Sequence, residues 1–213
     1  YGERTLFADF NYIVLKNQRL GIIGENGCGK STLLKMMAGK VQPDSGVVEV
    51  GETIRMGYFA QEVPDMDSDR RVIDYIRDIA EYVPTRDGKI TASQMLERFL
   101  FTPDMQYAPV SRLSGGNVQK VLVGREISSN PKVLMVAYPV RGLDIDSSYT
   151  IYHLLNEQKK QGAAVICVGE DLDVLLELCD RILVLCAGQV NGVVDGRTAT
   201  KEQVGLMMTR TGG

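Results

Sequence analysis

Short apolar runs alternate with amphipathic segments along most of this 213-residue chain. Short runs rich in β-branched and aromatic residues predict strands, and apolar residues spaced three or four positions apart predict helices. On these grounds we expect strands at 11–15, 19–24, 47–50, 53–60, 133–137, 163–169, 181–185 and 189–194. We expect helices at 31–38, 70–82, 91–99, 117–128 and 146–160, a short one from Asp171 and a last one from Thr200.

The order of these elements favours one α/β domain, with a mostly parallel sheet that helices cover on both faces. Residues 70–110 interrupt the alternation with two amphipathic helices, which predicts a small helical lobe within the α/β chain. The expected division is a core formed by 1–62 and 117–213, with the lobe at about 63–116. The chain starts at Tyr1 without an initiator Met, so we expect a domain cut from a longer protein.

Composition excludes several classes of function. The net charge of −3 gives no overall basic footprint for binding nucleic acid. No apolar run approaches the roughly 20 residues of a membrane helix, so we expect a cytoplasmic domain without direct membrane insertion. The four cysteines lack C-x-x-C spacing and there is one histidine, so we expect reduced thiols and no histidine-based metal site or triad.

The strongest chemical signal is GENGCGKS at residues 24–31, between a predicted strand and a predicted helix. It has the G-x-x-x-x-G-K-S/T spacing of a phosphate-binding loop, in which backbone N–H groups surround a phosphate. In such a loop Lys30 reaches the β- and γ-phosphates and the Ser31 hydroxyl binds Mg²⁺. Cys28 is either a reactive thiol near a helix N-terminus or a small residue that fits the loop. The predicted nucleotide-binding residues here are Gly24, Glu25, Asn26, Gly27, Cys28, Gly29, Lys30, Ser31 and Thr32.

A second segment, LSGGN at residues 113–117, precedes a predicted helix. Together with the phosphate loop, it resembles the ATP-binding cassette (ABC) family, whose signature is LSGGQ or close to it. The resemblance covers nearly the whole chain and implies a P-loop NTPase fold, with ATP and Mg²⁺ as ligands. It implies that Gln61 is the Q-loop glutamine at the metal and that Asp144 is the D-loop aspartate. Tyr1 then matches the aromatic residue that stacks on adenine, or is simply an exposed terminal tyrosine.

Family members work as pairs of cassettes, arranged head to tail around two ATP molecules. The resemblance therefore implies that Ser114, Gly115 and Gly116 contact the nucleotide of a partner cassette. Two N–H groups at a helix N-terminus are suited to a γ-phosphate. We accordingly expect ATP to drive pairing with a second cassette, either identical or different.

The stretch VLMVAYPVRGLD at residues 133–144 lacks the acids that the family carries there. ABC cassettes have Asp-Glu before the proline, one for the metal and one for the attacking water, whereas this chain has Ala137 and Tyr138. The position of the family's switch histidine holds Glu170, and His153 lies in the preceding predicted helix as a surface or packing residue.

These replacements predict ATP binding with slow or absent hydrolysis. Loss of a general base costs about 10²–10⁴ in rate. Tyr138 does not replace it, because a phenol with a pKa near 10 is protonated at neutral pH. Glu170 is then either a substitute base or an ordinary solvated carboxylate.

The two halves resemble different branches of the family. With GYFAQE at 57–62 and RVIDYI at 71–76, residues 1–112 resemble ABC-F proteins, which act on ribosomes. With VLMVAYPVRGLD at 133–144 and ICVGEDLDVLLELCDRILVL at 166–185, residues 113–213 resemble the degenerate second cassette of sugar and nucleoside importer ATPases. We therefore expect either a chimera joined near 113–117 or a divergent cassette of one lineage. Three functions remain open: a nucleotide-binding cassette with little or no hydrolysis, an active importer subunit docked on a membrane permease, and an ABC-F-type ribosome factor.

Overall fold

The computed structural model describes residues 6–8, 10–60 and 66–209, so Tyr1 and Gln61 lie outside the described residues. The described strands are β1 (Arg19–Gly24), β2 (Met56–Phe59), β3 (Tyr82–Thr85), β4 (Gly88–Thr91), β5 (Val133–Ala137), β6 (Ala164–Val168), β7 (Arg181–Cys186) and β8 (Gln189–Asp195). The described α-helices are α1 (Lys30–Met37), α2 (Val72–Arg77), α3 (Ala92–Arg98), α4 (Pro103–Tyr107), α5 (Gly115–Ser128), α6 (Ile145–Lys160), α7 (Leu172–Leu178) and α8 (Lys201–Thr209). A 3₁₀ turn at Val110–Arg112 precedes α5.

The main sheet has the strand order β2-β5-β6-β1-β7-β8. All its neighbouring strands are parallel except β7 and β8, which form an antiparallel pair. This confirms the predicted α/β fold with a mostly parallel sheet. Since β1, β6 and β5 are neighbours that run in the same direction, the loops at their carboxyl ends meet at one edge of the sheet, where open α/β sheets bind ligands.

Each face of the sheet packs against different helices. On one face, Ile22, Met135 and Ala137 share a buried cluster with Leu33 and Leu34 of α1. On the other face, a larger cluster joins strand residues such as Leu134 and Val136 to residues of α5, α6 and the segment before α5. Apolar residues on both sides of a parallel sheet explain why β5 and β6 are continuous apolar runs.

The segment between β2 and α5 is only partly the predicted helical lobe. The predicted helix at 70–82 is too long, because α2 ends at Arg77 and residues 82–91 form the antiparallel hairpin of β3 and β4. Asp87 and Gly88 form the turn of this hairpin, and the φ of 126° at Gly88 is one that glycine adopts readily. The predicted helix at 91–99 is confirmed as α3, where Thr91 and Gln94 form a reciprocal capping box.

Two predicted strands near the N-terminal half are wrong. Residues 11–15 and 47–50 form no strand, and the strand expected at 53–60 is limited to β2. Their composition suits a strand, but neither segment pairs with another backbone within 6–8, 10–60 and 66–209. Ile13 and Val47 are 74% and 81% exposed, whereas Tyr12 and Val14 pack against the sheet without forming a strand.

The remaining predicted elements are confirmed, with ends that differ by one or two residues. They include β1, α1, the four strands β5–β8 and the helices α5–α8. In the described part of the chain, no helix is both long and apolar enough to cross a membrane.

Candidate functional site

The predicted phosphate loop lies between β1 and α1, at the carboxyl edge of the sheet. Two of its glycines are required by packing. A Cβ on Gly24 would collide with the carbonyl oxygen of Leu185 and the Sγ of Cys28. Gly29 has φ 105°, and a Cβ there would come within 2.8 Å of Cζ of Phe7. The loop therefore follows a path that side chains at these two positions would obstruct.

The ammonium group of Lys30 lies inside the loop. Its Nζ donates hydrogen bonds to the carbonyl oxygens of Gly24 (2.6 Å) and Glu25 (2.9 Å), and the residue is only 4% exposed. A buried ammonium needs such partners. These two bonds use two of its three N–H donors, so one remains for a ligand.

The start of α1 offers further donors. Gly29 precedes the helix without a side-chain cap, and the first bond of the helix runs from the N–H of Leu33 to the oxygen of Gly29 (2.9 Å). The N–H groups of Lys30, Ser31 and Thr32 come before that bond, so they have no partner within the helix. Unpaired N–H groups at the positive end of a helix dipole, next to an ammonium, form an anion-binding arrangement.

Cys28 is a packing residue in this structure. Its side chain is buried in the cluster that α1 forms with the sheet. This favours the interpretation of a small residue that fits the loop over that of a reactive thiol, because reactive thiols are accessible.

At the end of β5, the structure puts Ala137 and Tyr138 beside the phosphate loop. Ala137 pairs in register with Val168 of β6, and Val168 pairs with Ile22 of β1, two residues before the loop. Ala137 is buried in the same cluster as Cys28. The methyl group of Ala137 has no polar atom, so this strand end presents no carboxylate to the loop.

Tyr138 leaves the strand with an unusual backbone. Its φ is 53°, a left-handed conformation that residues other than glycine seldom adopt. Its N–H donates to the oxygen of Val168 (2.8 Å), and its own oxygen accepts from the N–H of Arg141 (3.2 Å) and from Nε2 of Gln119 (3.0 Å). These bonds fix the left-handed turn.

The Tyr138 side chain is half-buried and packs against the cluster that contains Cys28 of the phosphate loop. Burial raises its pKa above the ordinary value, as does the neighbouring negative charge of Glu170, while Arg141 acts in the opposite direction. The phenol is therefore neutral at physiological pH. Glu170 itself is exposed at the bend after β6, as a solvated carboxylate would be.

The predicted signature residues lie at the start of α5. Ser114 is the N-cap, and its Oγ accepts from the N–H of Asn117 (3.3 Å). Ser114 and Gly115 are exposed, whereas Gly116 is packed so closely that a Cβ there would lie 2.8 Å from Cδ2 of Leu143. Across the described ranges, no hydrogen bond joins Ser114, Gly115 or Gly116 to the phosphate loop of the same chain.

Asp144 is the N-cap of α6. Its Oδ1 accepts from the N–H of Ser147 (2.8 Å). Hydrogen bonds from the backbone and hydroxyl of Ser147, with the charge of Lys120, hold the pKa of Asp144 below its ordinary value. The structure therefore gives this residue a local role at the end of the loop 138–144. His153 is exposed on α6, as expected of a surface residue.

Three residues of α5 connect the site to its surroundings and were not among the predicted site residues. Gln119 holds the backbone of Tyr138, and the buried Lys120 contacts the hydroxyl of Ser147 (3.4 Å). Glu126 accepts from the N–H of Tyr58 in β2 (3.0 Å), and burial raises its pKa. Their partners are distant in sequence, and a helical pattern alone does not reveal them.

The donor atoms suit phosphate better than a free metal ion. Among the residues that the structure describes, no three His, Cys, Asp or Glu side chains could hold a metal together. Mg²⁺ is usually bound through one or two carboxylates and the substrate's phosphates. Ser31 supplies a hydroxyl and Ala137 supplies nothing, so these residues do not fit Mg²⁺ without the phosphates of a nucleotide.

Comparisons with known proteins identify the family. The sequence profile described as "ABC transporter" matches residues 7–139. The uncharacterized ABC transporter ATP-binding protein YfmR of Bacillus subtilis is 38% identical over 91% of this chain and 30% of its own length. The xylose import ATP-binding protein XylG of Moorella thermoacetica is 31% identical over 99% of this chain and 46% of its own length. The chain thus spans less than half the length of these relatives.

A solved structure supports the fold. It is a dimeric ATP-binding cassette in a post-hydrolysis state with ADP and Pi bound, and it covers 93% of this chain and 95% of its own with a TM-score of 0.75 at 20% identity. At that identity the likeness concerns the fold alone. The profile match over more than half of the chain and the alignment with YfmR over most of it show that this chain belongs to the ABC transporter family, as an ATP-binding cassette domain with the P-loop NTPase fold.

Proposed function

We propose that this chain binds ATP with little or no hydrolysis. The observation that carries the proposal is an intact phosphate loop next to a strand end without acids: Lys30 and the first turn of α1 offer donors, while Ala137 and Tyr138 offer no carboxylate. Binding and turnover therefore have separate structural requirements, and only those of binding are met.

The donors proposed for phosphate are those of the loop and the first turn of α1. The N–H groups of Lys30, Ser31 and Thr32 donate to the β-phosphate, and the third N–H of the Lys30 ammonium serves the β- and γ-phosphates. The Ser31 hydroxyl and the phosphates hold Mg²⁺, which neutralises part of the phosphate charge. The adenine contact of Tyr1 and the metal contact of Gln61 remain predictions, since both residues lie outside the described ranges.

Slow hydrolysis follows from the chemistry of the two replaced residues. Phosphoryl transfer depends on a positioned water and on stabilised charge. The raised pKa of Tyr138 keeps its phenol protonated, so it does not take a proton from water at neutral pH. Glu170 is exposed at the bend after β6, and no hydrogen bond within the described residues positions its carboxylate. Loss of the general base alone is worth about 10²–10⁴ in rate.

Pairing with a second cassette is the next part of the proposal. Ser114 and Gly115 are exposed, and within the described residues they make no hydrogen bond to the phosphate loop of the same chain. A helix N-terminus with exposed N–H groups suits the γ-phosphate on a partner. The dimeric state of the solved relative with ADP and Pi supports a nucleotide-bound pair.

For the larger assembly, we propose only the kind of complex that this cassette joins. XylG is named a xylose import ATP-binding protein, which favours a cytoplasmic cassette docked on a membrane permease. An ABC-F-type factor on the ribosome remains the second candidate, because residues 1–112 resemble that branch. The alignments of YfmR and XylG both cover most of the chain, so the proposed junction at 113–117 and the domain division remain predictions.

The test of binding is a calorimetric titration of ATP with Mg²⁺ into the wild-type chain and into Lys30→Ala. We expect Lys30→Ala to weaken ATP binding at least tenfold, since it removes a charged partner of the phosphates. Lys35→Ala is the matched control, because Lys35 lies on the same helix and makes no side-chain hydrogen bond in the described structure. Equal affinities for all three proteins would contradict the proposed phosphate site.

A further inference from the structure

Tyr138 lies on the face of the sheet opposite to the one that its strand predicts. Along β5, Met135 and Ala137 face the cluster with α1, and Val136 faces the other cluster. Side chains of a strand alternate between faces, so a residue continuing the strand after Ala137 would face the same side as Val136. Tyr138 instead packs against the cluster that contains Cys28 of the phosphate loop. The left-handed φ of 53° causes this reversal.

The fold holds this reversal in place from three directions. One hydrogen bond comes from the neighbouring strand through Val168, one from the following turn through Arg141, and one from α5 through Gln119. An aromatic residue in a left-handed conformation persists only where its surroundings fix it. The ring is therefore a positioned group beside the phosphate loop.

The hydroxyl of Tyr138 is available to a ligand. Its ring is half-buried and packs against the cluster that contains Cys28 of the phosphate loop and Leu33 and Leu34 of α1. Among residues 6–8, 10–60 and 66–209, the hydroxyl has no hydrogen-bonding partner. A neutral phenol carries one O–H donor. A carboxylate at the same position would repel a phosphate.

We propose that Tyr138 determines specificity for the terminal phosphate of the nucleotide, through a hydrogen bond from its hydroxyl to the γ-phosphate of ATP. This inference rests on the proposed ATP site. ADP lacks the γ-phosphate and so gains nothing from the hydroxyl. The residue that replaces the usual acid would thereby make the site bind ATP more tightly than ADP.

The test compares Tyr138→Phe with the wild-type chain in calorimetric titrations of ATP and of ADP, each with Mg²⁺. The substitution removes the hydroxyl and keeps the ring. We expect ATP affinity to fall about tenfold, as for loss of a hydrogen bond to a charged group, and ADP affinity to change less than twofold. Tyr149→Phe is the matched control, because Tyr149 is 69% exposed on α6, and we expect it to alter neither affinity.

The outcomes separate this inference from the proposed function. Wild-type binding of ATP with an unchanged ratio of ATP to ADP affinity in Tyr138→Phe would overturn the role of the hydroxyl and leave the ATP site intact. An equal loss of ATP and ADP affinity would also overturn it, since the hydroxyl would then not distinguish the γ-phosphate. Failure of the wild-type chain to bind either nucleotide would overturn both proposals.

Discussion

The side-chain amide of Gln119 donates a hydrogen bond of 3.0 Å to the backbone oxygen of Tyr138. Gln119 lies in the second turn of α5, the helix that begins with the signature residues, and Tyr138 follows the strand that faces the phosphate loop. The bond therefore joins the surface proposed for a partner cassette to the residue proposed to contact the γ-phosphate.

Replacing Gln119 by Met keeps the length of the side chain and removes the hydrogen bond. We expect the free energy of unfolding to fall by about 1 kcal/mol, the usual value of one such bond. Urea unfolding measures the loss. Gln203→Met is the control, since Gln203 is exposed on α8 and its side chain makes no hydrogen bond in the described structure. Equal stabilities of the two variants would show that the bond contributes nothing.

Gly116→Ala places a Cβ against Leu143, where the space is 2.8 Å. The close atom is the end of a half-buried leucine side chain that can shift, so we expect a loss of about 1 kcal/mol in unfolding free energy. Gly115→Ala is the matched control, as a Cβ there meets nothing within 4 Å. Adding Leu143→Ala to Gly116→Ala creates the missing space, so the double variant is expected to lose less than the sum of the two single losses.

The lowered pKa of Asp144 should make the free energy of unfolding depend on pH. Its folded pKa is lower than its unfolded pKa, so its contribution is fully present above the unfolded value of about 3.9 and is lost as the pH falls through the folded value. Asp144→Asn keeps an N-capping side chain and removes the charge. Urea unfolding between pH 3 and pH 6 should therefore show a smaller loss of stability for the Asn variant. Identical pH profiles would contradict the role of this carboxylate.

Nucleotide should drive pairing of the chain. Since Ser114 and Gly115 are exposed and are proposed to bind a partner's nucleotide, sedimentation velocity should show a dimer with millimolar ATP and Mg²⁺ and a monomer without them. Replacing Gly115 by Glu puts a negative charge where the γ-phosphate would bind and should abolish the dimer. A wild-type chain that stays monomeric with bound ATP would contradict homodimer formation.

The parts of the site that sequence predicts are the local ones. The phosphate loop, the cap at Ser114 and the cap at Asp144 each depend on residues within a few positions of one another, so spacing is enough to find them. The parallel sheet follows from apolar strands that alternate with helices, because such strands are buried on both faces.

The parts that sequence does not predict depend on distant contacts. The left-handed turn of Tyr138 is fixed by Val168 and Gln119, which lie 30 and 19 positions away in the chain. Segments 11–15 and 47–50 have the composition of strands and lack a pairing partner in the described ranges. The hairpin at 82–91 is not predicted, because the helical spacing of apolar residues before it continues to residue 82. Asp87-Gly88 is the turn signal that indicates it.

Restoring the two missing acids should restore ATP hydrolysis. The double variant Ala137→Asp with Tyr138→Glu returns a metal-binding carboxylate and a base to the end of β5, so its turnover should exceed that of the wild-type chain by about 10²-fold or more. Its fold is checked by circular dichroism and by its urea unfolding midpoint. A variant that binds ATP and turns over no faster than the wild-type chain would show that the acids are not the limiting feature.

The most direct measurement of the central claim is phosphate release by the wild-type chain from a stoichiometric amount of bound Mg-ATP, followed in the same sample in which binding was titrated. We predict saturable ATP binding with less than about one hundredth of the turnover of the restored double variant. Saturable binding together with turnover equal to that of the double variant would contradict the claim that Ala137 and Tyr138 separate binding from hydrolysis.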